Sequence, residues 1–204
     1  MGQRGELRIF ANRSGRGFAH EITDSLNNYA SSPAKPIRNK LGNIDSTDFA
    51  DGEFKPEIND SVRGCDCYLV QNCFDPTTNR SNQDNFFEAL STIYALKSAG
   101  AQKATLIMPY HPFSRQDKAK TREPINMRLA ADLISTSGAD NILTTDLHAD
   151  QETGFYDPVK GTKIDNLRFS KVLIPKLRDI YSQEELENLV VMGPDAGGGP
   201  RAQH

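Results

Sequence analysis

Residues 104–150 read ATLIM, PYHPFSRQDKAKTREP, INMRLAADLISTSGAD, NILTT, DLHAD, and this stretch decides the fold. Ala104–Met108 is a short apolar run without alternation, the pattern of a strand covered on both faces. Ile125–Ser137 has Leu129 and Leu133 one helical turn apart and runs into Gly138, a residue that stops helices. Asn141–Thr145 is a second strand of the first type. Strand, helix and strand of this kind form a parallel unit, because the helix carries the chain back over the sheet.

The same alternation extends outward. Leu7–Phe10 reads as a strand. Gly17–Tyr29 reads as a helix, with Phe18, Ile22, Leu26 and Tyr29 on one face. Ile37–Ile44 is a weak strand, Asp51-Gly52 a turn, and Cys67–Gln71 a buried strand. Asn82–Ala99 is a helix carrying Phe86, Leu90, Ile93 and Tyr94 at helical spacing, stopped by Gly100. Leu167–Tyr181 reads as helix, with Pro175 marking a kink or a second start. Leu189–Met192 reads as a last strand. The expected class is α/β, with a largely parallel sheet flanked by helices.

Composition narrows the function. The chain has 204 residues, 37% apolar and 25% charged, with a net charge of −3. A general nucleic-acid binder carries a basic excess, so no nucleic-acid partner is expected. The apolar runs fall far short of a membrane span, so no membrane partner is expected either. The first ten residues hold no apolar signal core, and Glu6 stands where a lipidation signal needs Ser or Thr. Cys65, Cys67 and Cys73 form neither an even disulfide set nor a zinc pair with a distant partner pair, and read as cytoplasmic strand cysteines.

Ligands of open parallel sheets bind beyond the carboxyl ends of the strands. Arg115-Gln116-Asp117-Lys118 follows one strand. Arg offers a planar fork to phosphate oxygens, and Lys a mobile charge. Asp146-Leu147-His148-Ala149-Asp150 follows the next, with ligand types on alternate residues; carboxylate oxygens suit Mg2+ or Mn2+, and His widens the choice. Pro194-Asp195-Ala196-Gly197-Gly198-Gly199 follows the last, joining a carboxylate to a backbone free to turn its N–H groups toward an anion. Ser14-Gly15-Arg16-Gly17 could cradle phosphate at a helix start. Each alone has a plainer reading: a solvated basic loop, a strand-end cap, a glycine tail, a turn. Their convergence at one topological place is what points to phosphate and metal chemistry.

Taken in order, Phe49-Ala50-Asp51-Gly52-Glu53, Arg115-Gln116-Asp117-Lys118 with Arg122-Glu123-Pro124-Ile125, Asp146-Leu147-His148, and Pro194-Asp195-Ala196-Gly197-Gly198 resemble the ribose-phosphate pyrophosphokinase (phosphoribosyl pyrophosphate synthetase) family. The resemblance spans essentially the whole chain. It implies phosphoribosyltransferase-like α/β domains in tandem: residues 1–165 as the first, the ATP side, and 166–204 as the opening helix and strand of a truncated second. It implies transfer of the pyrophosphoryl group of Mg-ATP to the C1 hydroxyl of ribose 5-phosphate, giving PRPP and AMP. Arg115 and Gln116 correspond to the ATP-binding pair. Phe49, Asp51, Gly52 and Glu53 correspond to the segment that meets the adenine of a neighbouring subunit's ATP. His148 and Asp195, with Asp146 close by, correspond to magnesium-linked positions.

The resemblance further implies a cytoplasmic homo-oligomer, with phosphate or ADP as effectors. The family's basic catalytic strand and ribose-phosphate loop have no counterpart here, so residues 1–204 alone are expected to be inactive. Residues 72–81 and 156–165 are longer than the family pattern. The alternative is a non-catalytic, nucleotide-binding regulatory or associated subunit of the same family. An α/β phosphate-binding module without chemistry of its own is a further one.

Overall fold

The computed structural model describes residues 5–30, 40–159 and 161–192. The chain runs β1 (Leu7–Ala11), a 3-10 turn (Arg13–Gly15), α1 (Arg16–Ala30), β2 (Ile44–Asp48), β3 (Phe54–Ile58), β4 (Asp66–Val70) and α2 (Asn82–Ser98). It continues with β5 (Lys103–Ile107), α3 (Asn126–Thr136), β6 (Asn141–Thr145), a 3-10 segment (Asp150–Phe155), β7 (Lys163–Leu167), α4 (Ser170–Ile180) and α5 (Gln183–Glu187).

The main sheet has the order β1-β4-β5-β6-β7, and its first four strands pair in parallel. The reason lies in the side chains. Cys67, Leu69 and Val70 in β4, and Ala104, Thr105 and Leu106 in β5, are buried on both faces of the strands, as parallel strands with both sides covered must be. β2 and β3 form a separate antiparallel hairpin.

Helix α2 covers one face of the sheet. Ser81 caps it: its Oγ accepts from the Asp84 N–H (3.1 Å), while Asp84 Oδ2 accepts from the Ser81 N–H (3.0 Å). Such a cap is worth about 1 kcal/mol. Phe86, Ala89, Leu90, Ile93 and Leu96 face inward. Gly100, at φ 93°, ends the helix where a side chain would be strained.

Several expectations shift. The helix expected over 167–181 is confined to Ser170–Ile180, because Leu167 closes β7. The strand expected over 189–192 does not form: these residues are irregular and exposed. A strand needs a neighbour for its N–H and C=O groups, and none pairs with this run among the described residues. The strand expected over 37–44 falls partly outside the described residues; its described end is irregular, with one bridge from Leu41 to Ile9, and β2 begins at Ile44.

Contacts divide the chain into a unit ending at Asn166 and a second one beginning at Leu167. In the second, α4 and α5 bury no residue, and Val172, Leu173, Ile174 and Ile180 are exposed.

Candidate nucleotide and metal site

Among the described residues, only Phe113 (φ 64°) and Asp146 (φ 46°) hold a left-handed backbone without being glycine. One follows β5 and the other follows β6. A conformation of this kind costs roughly 1–3 kcal/mol and persists where the surroundings over-determine it, most often at functional sites. Phe113 is held edge-on by Phe86, centroids 5.7 Å apart, and its carbonyl accepts from the Gln116 N–H (2.8 Å). This reversal leaves the Arg115 side chain exposed.

Arg115 lines a pocket of about 430 Å³ with Asn72, Phe74, Asn82, Pro109 and Tyr110. The walls come from the loop after β4, the first position of α2 and the loop after β5. Phe74 is 62% exposed, an apolar ring displayed rather than packed. Asn72 is fixed, donating from Nδ2 to the Ser14 carbonyl (3.0 Å) and accepting the Ser14 hydroxyl on its own carbonyl (2.6 Å). Arg115 has no ion pair or hydrogen bond among the described residues. Two aromatic rings, amide groups and an unspent guanidinium suit a planar base joined to a phosphate. Gln116 is placed differently: its Oε1 accepts from Asn126 Nδ2 (2.5 Å) and its carbonyl from the Met127 N–H (3.2 Å), tying it to the start of α3.

Asp146 and His148 stand at the carboxyl end of β6. Asp195 lies outside the described residues. No three His, Cys, Asp or Glu groups cluster to hold a metal among the described residues. Magnesium does not need such a cage: it binds through one or two carboxylates plus substrate phosphates and water. A carboxylate at Asp146, on the loop after β6, is the donor type that ion takes, and His148 admits Mn2+ as well.

The loops after β5 and β6 are joined by buried polar groups. Ser114 Oγ donates to Glu152 Oε2 (2.5 Å) and accepts from the His148 N–H (3.0 Å). Glu152 Oε1 accepts from the Ala149 N–H (2.7 Å). Burial pushes the Glu152 carboxyl above its ordinary range, against the pull of these two donors. Asp117, also buried, accepts from Gln151 Nε2 (3.1 Å).

His111 is structural. Its Nδ1 donates to the Pro112 carbonyl (2.8 Å), which leaves Nε2 to accept from the Tyr156 hydroxyl (2.6 Å). Burial lowers its pKa from 6.5 to about 4. The folded residue stays neutral where the unfolded one protonates. Its contribution to stability is complete above about pH 6.5 and fades as pH falls toward 4, by about 2 kcal/mol at pH 5. Urea unfolding at about pH 7.5 and 5 should show a smaller acid loss in His111→Gln than in the unaltered chain. Equal losses would contradict this.

Phe49, Asp51, Gly52 and Glu53 form the tip of the β2–β3 hairpin. The Phe49 carbonyl accepts from the Gly52 N–H (3.0 Å), Asp51 Oδ1 from the Glu53 N–H (3.0 Å), and Gly52 takes φ 91°. Phe49 is 48% exposed, and none of the four lines the pocket. The hairpin is anchored by Arg13, which donates to Glu88 (2.9 Å), Asp48 (2.6 Å) and Ser46 (2.8 Å). That hydrogen bond holds the Asp48 carboxyl below its usual range.

The turn at Ser14–Gly17 has a packing role. A Cβ on Gly15 would lie 2.2 Å from the Val70 carbonyl oxygen, so glycine is needed for the approach of β4. The cysteines are free and buried, and burial pushes the Cys67 and Cys73 thiols up to about 12.

A family model described as the N-terminal domain of ribose phosphate pyrophosphokinase matches residues 7–138. A Bacillus subtilis ribose-phosphate pyrophosphokinase is 36% identical over 198 residues, covering 97% of this chain and 55% of the relative. A Listeria monocytogenes ribose-phosphate pyrophosphokinase 1 is 40% identical over 200 residues, with the same shares. The crystal structure of phosphoribosylpyrophosphate synthetase from Mycobacterium smegmatis superposes with a TM-score of 0.79 at 34% identity, covering 97% of this chain and 59% of that one. The chain thus spans about half the length of the curated relatives it matches. With residues 7–138 matched from β1 past the end of α3, the chain belongs to the family of the ribose phosphate pyrophosphokinase N-terminal domain.

Proposed function

We propose that this chain is the ATP side of an enzyme that moves the pyrophosphoryl group of ATP to ribose 5-phosphate. The observation that carries the reading is Arg115, unpaired in a pocket with Phe74 and Tyr110, on a loop bonded to the Asp146–His148 loop. The base lies against Phe74 and Tyr110, and Arg115 takes the phosphates. Gln116 holds the loop to α3. Asp146 and His148 would hold the ion, and the resemblance assigns Asp195 to it as well. When bound, Mg2+ neutralises the phosphate oxygens as charge shifts between them.

In the transfer the C1 hydroxyl oxygen bonds to the β-phosphorus while the bond from that phosphorus to the AMP oxygen breaks. Such a reaction is mostly positioning and charge neutralisation. The ribose 5-phosphate pocket belongs to the second half of the enzyme, so residues 1–165 act as the first domain and 166–204 as the start of the next. Phe49, Asp51, Gly52 and Glu53 of one copy reach the base held by another, in a cytoplasmic homo-oligomer with phosphate or ADP as effectors. The presence of Arg115, Gln116, Asp146 and His148 favours this over a non-catalytic subunit of the same family.

The test is AMP release that depends on ribose 5-phosphate. It is measured on the 204-residue chain and on a chimera continuing it with the remaining part of the Listeria monocytogenes relative. The chimera should release AMP and the chain alone should not. A folded, ATP-binding chimera that releases none would overturn the reading.

A further inference from the structure

We infer that Ser114 and Glu152 are positioning residues that lock the Arg115 loop to the Asp146–His148 loop, and so couple ATP binding to divalent-cation binding. The inference rests on the nucleotide reading of this site.

Ser114 immediately precedes Arg115. Its hydroxyl makes two bonds, donating to Glu152 and accepting from the backbone of His148. Glu152 uses its other oxygen on the neighbouring backbone, the Ala149 N–H. One hydroxyl and one carboxylate thus join the segment that carries the phosphate-binding guanidinium to the segment that carries the ion-facing side chains. The segments are 34 residues apart at the Ser114–His148 bond. Neither residue lies in a strand or an α-helix, and neither joins the apolar core clusters.

Glu152 is 0% exposed. A buried carboxylate is unfavourable unless its oxygens are satisfied, and an apolar residue of similar size often stabilises as well or better. Its place here is explained by what it orients. Both flanking backbones are left-handed, at Phe113 and Asp146, so neither loop settles by local preference alone. The bridge fixes their separation. A triphosphate gripped by Arg115 at one end and by a cation on the other loop needs that separation to be constant.

The test is titration of the 204-residue chain with ATP, with and without Mn2+. In the unaltered chain Mn2+ should tighten ATP by about tenfold or more, within the usual 5- to 150-fold range of such couplings. In Ser114→Ala and in Glu152→Ala the tightening should fall below about threefold. ATP affinity without metal should stay within about twofold, since Arg115 itself is intact; a general loss of structure would not spare it. Glu152→Gln should keep the coupling, because its amide can accept from Ala149 and donate to Ser114. Full coupling in both alanine variants overturns the inference and leaves the nucleotide reading standing. ATP binding without any Mn2+ effect in the unaltered chain overturns both.

Discussion

Arg115→Ala is expected to weaken Mg-ATP binding by about 10- to 150-fold, the equivalent of 1.5–3 kcal/mol for a charged hydrogen-bonded contact. The fold should be untouched. Arg115 sits in a loop, is exposed, and makes no side-chain bond among the described residues. Surface substitutions of that kind stay within about 0.5 kcal/mol. Arg115→Lys keeps the charge but loses the planar fork, so it should recover part of the affinity. Calorimetric titration beside thermal unfolding separates the effects. Unchanged affinity in the alanine variant, or a large drop in thermal stability, would refute the assignment.

Arg13→Ala should be the most destabilising single change outside the apolar core. Glu88 is 1% exposed at its side chain, and its Oε1 is bonded to Arg13 Nε at 2.9 Å. The other cation, Arg80, stands 3.9 Å from Glu88 Oε2 and 4.6 Å from the Phe54 ring centre, too far for a full hydrogen bond to the carboxylate. Truncating Arg13 leaves Glu88 buried and poorly paired, a situation that costs about 3–5 kcal/mol. It also frees the hairpin from the end of β1, because Asp48 and Ser46 lose the same guanidinium. Urea unfolding should show the loss, and Arg13→Ala with Glu88→Leu should restore much of it by removing the stranded charge. A loss below about 1 kcal/mol in the single variant would mean that Arg80 takes over.

The legible parts of this fold are those whose burial is written in composition. β4, β5 and β6 carry Leu69, Leu106 and Ile142, and such runs leave few alternatives. β2 and β7 read IDSTD and KIDNL, polar and half exposed, so no periodicity marks them. α5 did carry a signal, Ser182 three residues before Glu185, and the structure closes that capping box. Leu189–Met192 misleads in the other direction: β-branched residues favour a strand only where a neighbour pairs with it.

The site divides in the same way. That Arg115 follows one apolar strand and Asp146 and His148 the next was legible, and the structure places them after β5 and β6. Phe74, Tyr110 and Asn82 were not, because three separate segments meet to form the pocket. The Ser114–Glu152 bond spans 38 residues between common loop residues, with no spacing to betray it. Nor does any residue type announce the left-handed backbone of Phe113.

The most direct measurement of the central claim, that the pocket beside Arg115 holds the nucleotide, is photolabelling with an azidoadenine analogue of ATP followed by mass spectrometry. Label should fall in residues 72–82 or 109–115, and excess ATP should suppress it. Label elsewhere in the chain, or label at these segments that ATP does not displace, would contradict the account.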